Sequence, residues 1–315
     1  MKNFLQMGKR FFLFVAVNLL VMITLSIVLS VVLHFFPELA RGRGNWLGYL
    51  AVFSLVFGMG GAFISLAMSR MMAKWMMGVQ VIDPHTHDPE LRELVQMVHG
   101  FAKRAGLPAL PEVGIYESPE VNAFATGPSK ARSLVAVSTG LLHQMRRHEV
   151  EGVIAHEVAH IANGDMVTMT LVQGIVNAFV IFLSRVLGFL AAQALRGNRS
   201  SDDDRPGFGD YLIQSILVMV FEVLFTLLGT IVVAWFSRQR EFRADAGGML
   251  LAGKEQMVGA LRALQRIYDP RLAAEDTSSG FASLKISGKA GGFMALFSTH
   301  PPLEERIAHL ESLGR

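Results

Sequence analysis

The chain has 315 residues, of which 51% are hydrophobic and only 17% charged. A disordered chain needs the opposite balance, and a wholly soluble one needs its apolar residues scattered, whereas here they are bunched. The net charge is +3 and cysteine is absent, which excludes disulfides, thiolate catalysis and cysteine-bound metal, and no basic run interleaved with aromatics points to nucleic acid.

Phe11 to Phe36 is a run of 26 residues without Asp, Glu, Lys or Arg. About 20 apolar residues suffice to cross the hydrocarbon core. Lys2, Lys9 and Arg10 precede the run, as they would in a signal peptide. A signal core is only about 7–15 residues long, and no small-residue cleavage site follows, so the reading is a retained span. Trp46 to Ser69 gives a second uncharged run, and Pro37 to Asn45 a short loop between them.

The polar segment 70–165 comes next. Asp88-Pro89-Glu90 looks like a helix start, and Leu91, Leu94, Val95, Val98, Phe101 and Ala102 recur at helical spacing up to Gly106. Val113–Tyr116, Val121–Thr126 and Ser133–Ser138 read as short strands, and Thr139–Arg147 and His148–Asn163 as helices. The last of these contains His156-Glu157-Val158-Ala159-His160. Helical spacing puts the two imidazoles on one face, where both can grip one ion. Glu157 is turned about 100° away, placed to act on water as a general base. His143 and His148 read as ordinary surface histidines.

Met166 to Leu195 is a third apolar run, broken only by Arg185, and Tyr211 to Ser237 a fourth, broken only by Glu222. The polar stretch Arg196–Asp210 joins them. The two charges can form an ion pair within the membrane. Equally, Arg185 can snorkel to an interface while Glu222 faces a wet cavity. Beyond the fourth run stands Arg240-Glu241-Phe242-Arg243-Ala244-Asp245, with Glu241 and Asp245 one helical turn apart. A hydrolytic zinc site commonly takes three protein ligands. One carboxylate of this pair can supply the third while the other holds a ligand histidine by a hydrogen bond. A helix through Lys254–Ile267, a Ser- and Gly-rich loop over Asp276–Gly292 that could gate the cleft, and a helix near Leu303–Leu313 complete the chain.

Basic residues set the orientation. Lys2, Lys9, Arg10, Arg70, Lys74, Arg238, Arg240 and Arg243 fall on one side, against Arg41, Arg43, Arg196, Arg199 and Arg205 on the other. The positive-inside rule then places both termini and segment 70–165 in the cytoplasm. The expected organisation is a membrane hairpin over 1–69, a second over 166–237, and one cytoplasmic domain built from 70–165 and 238–315.

The chain resembles the HtpX family of heat-shock membrane proteases and, more distantly, the CAAX prenyl endoproteases. The resemblance rests on HEVAH at 156–160 followed by Asn163-Gly164-Asp165, on EFRAD at 241–245, on Val121-Asn122-Ala123-Phe124-Ala125, and on His300-Pro301-Pro302 with Arg306. It implies a mainly α, four-span integral membrane protein with a small β-sheet and a cytoplasmic, gluzincin-like zinc metalloprotease domain. It implies that His156, His160 and Glu241 bind one Zn2+ per chain, that Glu157 is the catalytic base, and that Asp245 orients a ligand. Asn122, Ala123 and Phe124 look like the family's edge strand, where an extended substrate pairs by backbone hydrogen bonds. His300 looks like a residue that positions substrate or stabilises the oxyanion. Arg306 is similar to a family arginine near the site, or else anchors Glu304 or Glu305. The function implied is an endopeptidase of the bacterial inner membrane, cleaving misfolded or damaged membrane proteins in stress-linked quality control. Its partners are polypeptides and the lipid bilayer, not nucleic acid. The competing expectation is a membrane scaffold with a closed structural zinc site, whose fourth ligand would be Asp165 or His300.

Overall fold

The computed structural model describes residues 2–37, 46–196, 207–268, 296 and 298–313, the side chains of 2–14, 17 and 18 excepted. The loop expected to gate the cleft, 276–292, lies outside the described residues, as do most of the two loops expected between paired spans. In chain order the elements begin with α1 (Lys2–Phe35), α2 (Trp46–Met76), β1 (Gln80–Val81), α3 (Pro89–Arg104), β2 (Glu112–Tyr116), β3 (Ala123–Ser129) and β4 (Arg132–Ser138). They continue with α4 (Thr139–Gln144), α5 (Arg147–Asn163), α6 (Asp165–Arg196), α7 (Phe208–Ala252), α8 (Lys254–Tyr268) and α9 (Leu303–Ser312).

The chain divides into two compact units, Met1–Ser65 with Thr170–Val233, and Leu66–Met169 with Ala234–Arg315. Three described helices, α2, α6 and α7, are long and apolar enough to cross a membrane. Four were expected. The helix α1 is continuous, but its described apolar stretch, Leu19–Phe35, is shorter than the other three, and the first predicted span falls partly on undescribed side chains. The helices also outrun the apolar runs: α2 continues beyond Ser69 and α7 beyond Ser237, since good helix formers rather than Gly or Pro follow each run.

Within the first unit the helices meet through small residues. A Cβ added to Gly58 would lie 2.4 Å from the Ala178 backbone nitrogen, so only glycine lets α2 and α6 approach this closely. Arg185 donates to the Ile181 carbonyl at 3.2 Å and places its guanidinium 5.2 Å from the centre of the Phe53 ring. It forms no ion pair with Glu222; a carbonyl one turn back and an aromatic face satisfy it instead.

In the second unit Asp88 accepts from the Glu90 and Leu91 amides at 2.9 and 3.3 Å and caps α3, whose Leu94, Val95, Val98, Phe101 and Ala102 are buried. The sheet order is β1-β2-β4-β3, with β2 and β4 parallel and both outer pairings antiparallel. Strand β1 was not anticipated, being two exposed residues whose place is set by pairing with Gly114 and Ile115. The helix α5 packs against α3, α8, β3 and β4, which buries it on nearly every side and fixes its axis under the sheet.

Candidate metal centre

Two helices of the second unit, α5 and α7, bring three side chains to one point. His156 and His160 stand one turn apart on α5, buried at 8% exposure each, with their Nε2 atoms 3.0 Å apart. Glu241 on α7 is 1% exposed, with Oε1 3.4 Å from His160 Nε2 and Oε2 3.5 Å from His156 Nε2. One ligand atom from each of the three lies within 4.8 Å of the others. The close crossing of α7 and α5 makes this possible. A Cβ on Gly248 would sit 3.2 Å from the His156 backbone nitrogen and 2.8 Å from Met257 Sδ, so a larger residue would press the helices apart.

The far side of each imidazole is held by a carboxylate. Asp165 Oδ2 lies 2.7 Å from His160 Nδ1, and Asp245 Oδ1 lies 2.9 Å from His156 Nδ1. A carboxylate only accepts, so His160 Nδ1 carries the proton toward Asp165, and with an ion bound each Nε2 would present its lone pair to the shared point. Gly164 closes α5 in the left-handed conformation at φ 73°, which turns the chain so that Asp165, the first residue of α6, comes back beneath His160. The sequence reading gave Asp165 no role in orienting a histidine, although Asn163-Gly164-Asp165 carries the signal: a glycine stop with an acid directly after it.

Arg306 on α9 is 6% exposed and lies 3.4 Å from Glu241 Oε2 as well as bonding Asp245. It does not anchor Glu304 or Glu305, which are both exposed, Glu304 accepting instead from Gln265 Nε2 at 3.3 Å. His300 is 62% exposed and sets Nδ1 3.0 Å from Glu241 Oε2. Its segment is held by Arg238, which donates to the carbonyls of Leu296 and Ser298 at 3.2 and 2.7 Å. Glu157 is half-buried on α5. Asn122 donates its N–H to Ser138 Oγ at 3.0 Å and accepts from the Ser138 amide at 2.9 Å, and β3 forms one edge of the sheet. Strand alternation then directs the backbone groups of Ala123 and Ala125 outward, while Phe124 bonds inward to β4 and sets its ring at a tilt against Tyr116.

The electrostatics are those of a site built for a cation. Both Glu241 oxygens are buried without a hydrogen bond, although His156, His160, His300, Arg240 and Arg306 all stand within 3.5 Å. Burial works to raise the Glu241 carboxyl, but these histidines hold it far below the usual carboxylate range. Burial works to lower His160, and its bond to Asp165 with the nearby Glu241 carboxylate outweighs that and raises it to about 9. His156 is raised in the same way by Asp245 and Glu241, and Asp245 is lowered against its burial by Arg306 and His156. Two imidazole nitrogens and a buried, unsatisfied carboxylate oxygen form a donor set that suits a borderline divalent ion.

Residues 88–313 match the model of peptidase family M48. The chain belongs to that family, among the HtpX proteases. It is 53% identical to a protease HtpX homologue of Bacillus pumilus, over 97% of this chain and 100% of that one. Identity to the Bacillus subtilis homologue is 51%, with the same coverage, and to protease HtpX of Tolumonas auensis 47%, over 97% and 99%. The crystal structure of S. mikatae Ste24p shares the fold at a TM-score of 0.54 and 17% identity, covering 94% of this chain. The present chain spans 65% of the length of that structure. With its apolar helices and its His156, His160 and Glu241 cluster, the chain is a membrane-bound metallopeptidase.

Proposed function

We propose that the chain is a zinc endopeptidase of the bacterial inner membrane that cleaves misfolded or damaged membrane proteins from the cytoplasmic side. The observation that carries the reading is the convergence of His156 Nε2, His160 Nε2 and Glu241 with a proton-accepting carboxylate behind each ring. These three side chains would hold one Zn2+, which supplies Lewis acidity toward water and the scissile carbonyl. A structural ion takes four protein donors, and among the described residues three converge, which favours the enzyme over the scaffold.

Glu157 takes the proton of the attacking water and passes it to the leaving amine, so the C–N bond breaks as a new C–O bond persists. Its turn of helix keeps it off the shared point but beside it. The exposed edge of β3 lines up the substrate as an extra strand through Ala123 and Ala125, with Asn122 and Phe124 flanking. His300, swung from Glu241 toward the scissile carbonyl, donates to the developing oxyanion. Asp245 and Asp165 keep the rings in register, and Arg306 keeps Asp245 in place.

The test pairs metal content with casein cleavage for wild type and Glu157→Gln. The expected result is equal zinc with cleavage lost in the variant. Wild-type turnover in Glu157→Gln overturns the assignment.

A further inference from the structure

The membrane unit holds a small polar cleft that the peptidase chemistry leaves unused. Between α6 and α7 lies a cavity of about 80 Å³, lined by Gln173, Asn177, Thr226 and Thr230 together with valines and Gly229. All of these lie inside the two apolar runs, where an unsatisfied amide finds no water. Gln173 Nε2 donates to Asn177 Oδ1 at 2.8 Å, and Thr230 Oγ1 donates to the Thr226 carbonyl at 2.8 Å. Among the described residues nothing then receives the two Asn177 Nδ2 protons, and the Thr226 hydroxyl has no partner.

We infer that this cleft binds a single hydrogen-bonding side chain, an amide or hydroxyl, carried on a membrane-spanning helix of a polypeptide substrate. The inference rests on the reading that the substrates are membrane proteins. Three observations select the occupant. The volume is that of one side chain, too small for a helix or a lipid headgroup. The unsatisfied groups offer both donors and an acceptor, which a hydrocarbon chain cannot match. Gln173, Thr226 and Thr230 are exposed, so the mouth opens at the surface of two helices whose exposed side chains are mostly apolar. Gly229 keeps the floor closed, since a Cβ there would lie 2.6 Å from Val176 Cγ1. A polar residue in a spanning helix is what a damaged or unassembled membrane protein leaves without its partner, and hydrogen bonding across helices is how it finds a substitute.

The full chain in lipid nanodiscs provides the test, with labelled polyleucine transmembrane peptides that carry one central Asn or none, followed by energy transfer. The Asn peptide should bind about 3- to 30-fold more tightly than the all-Leu peptide. Asn177→Leu and Thr226→Val should each reduce that preference toward parity while casein cleavage stays unchanged. Equal binding of the two peptides by the wild type, as a cleft filled with water would give, overturns the proposal without needing any variant. A preference that survives both substitutions overturns it too, and so does a dimer of this chain that Asn177→Leu dissociates, because the occupant is then a second copy. Casein cleavage by the same preparation reports the peptidase reading separately, so the failure of one is distinguishable from the failure of the other.

Discussion

Arg306 clasps Asp245 through two parallel hydrogen bonds, Nε to Oδ2 at 2.8 Å and Nη2 to Oδ1 at 2.6 Å, across 61 residues of sequence. Asp245 in turn lies against His156 Nδ1, so α9 reaches the far side of a candidate ligand imidazole through one carboxylate. The same guanidinium stands over Glu241 and offsets part of its buried charge.

Replacing Arg306 therefore acts on metal affinity before it acts on chemistry. Arg306→Lys keeps the charge but cannot form the planar fork, and metal affinity should fall about 10- to 100-fold. Arg306→Ala leaves a buried carboxylate unpaired and should cost about 3–5 kcal/mol of stability. Chelator competition measures the first effect and thermal unfolding of the metal-free protein the second. Wild-type metal affinity in the lysine variant would remove the arginine from the site.

Asp165 should behave as the counterpart of Asp245. Asp165→Asn weakens the acceptor at His160 Nδ1 without altering shape, and about tenfold weaker metal binding is expected. Gly164→Ala should mimic it by a different route. It forces a side chain into φ 73° at a cost of about 1 kcal/mol and displaces Asp165 from beneath the ring. Metal affinity of both variants, compared with a control at exposed Asn163, decides whether the turn serves the histidine.

How much of this was legible in the sequence depends on how local each feature is. The helix α3 was readable because its cap, its proline and its apolar period all lie within a few residues. The two histidines were readable because helical spacing alone brings them together. The partner of Arg306 was not, since nothing in residues 303–312 says that the facing residue comes from α7. Strand β1 was invisible for a similar reason: two exposed residues carry no alternation, and only their pairing defines them. For Arg185 the sequence leaves two readings open, a pair with Glu222 or a charge snorkelling to an interface, because spacing alone does not show that a carbonyl one turn back and the Phe53 ring are its nearer partners.

Glu149, at the start of α5, ties the site helix to α8 and supplies a pH dependence. It accepts from the Arg146 amide at 2.8 Å and from Arg266 Nη2 at 3.0 Å. Burial works to raise its carboxyl, but those two donors outweigh burial and hold it below its ordinary value of 4.5. A depressed folded-state value means the stabilisation is present above the unfolded value and is lost as pH falls through the folded one. Wild type should exceed Glu149→Gln by about 1.5–3 kcal/mol at neutral pH. The gap should close on acidification below about pH 4.5. Unfolding curves of both proteins across that range measure it, and a gap independent of pH would show that the carboxylate charge is not what matters.

The edge strand gives the sharpest contrast between two neighbouring positions. Ala123 turns its N–H away from β4, so Ala123→Pro removes a group that only a substrate strand would use. Phe124 turns its N–H toward β4, so Phe124→Pro breaks the ladder itself. Loss of one substrate hydrogen bond should raise KM about 2- to 10-fold in Ala123→Pro, with little change in kcat or melting temperature. Phe124→Pro should instead lower the melting temperature, by an amount that reflects a cost of about 3 kcal/mol or more. Steady-state kinetics on an unfolded peptide and a melt of each variant separate the two. If Ala123→Pro cleaves with unaltered KM, the substrate does not run along β3, and the cleft must take its chain on another wall.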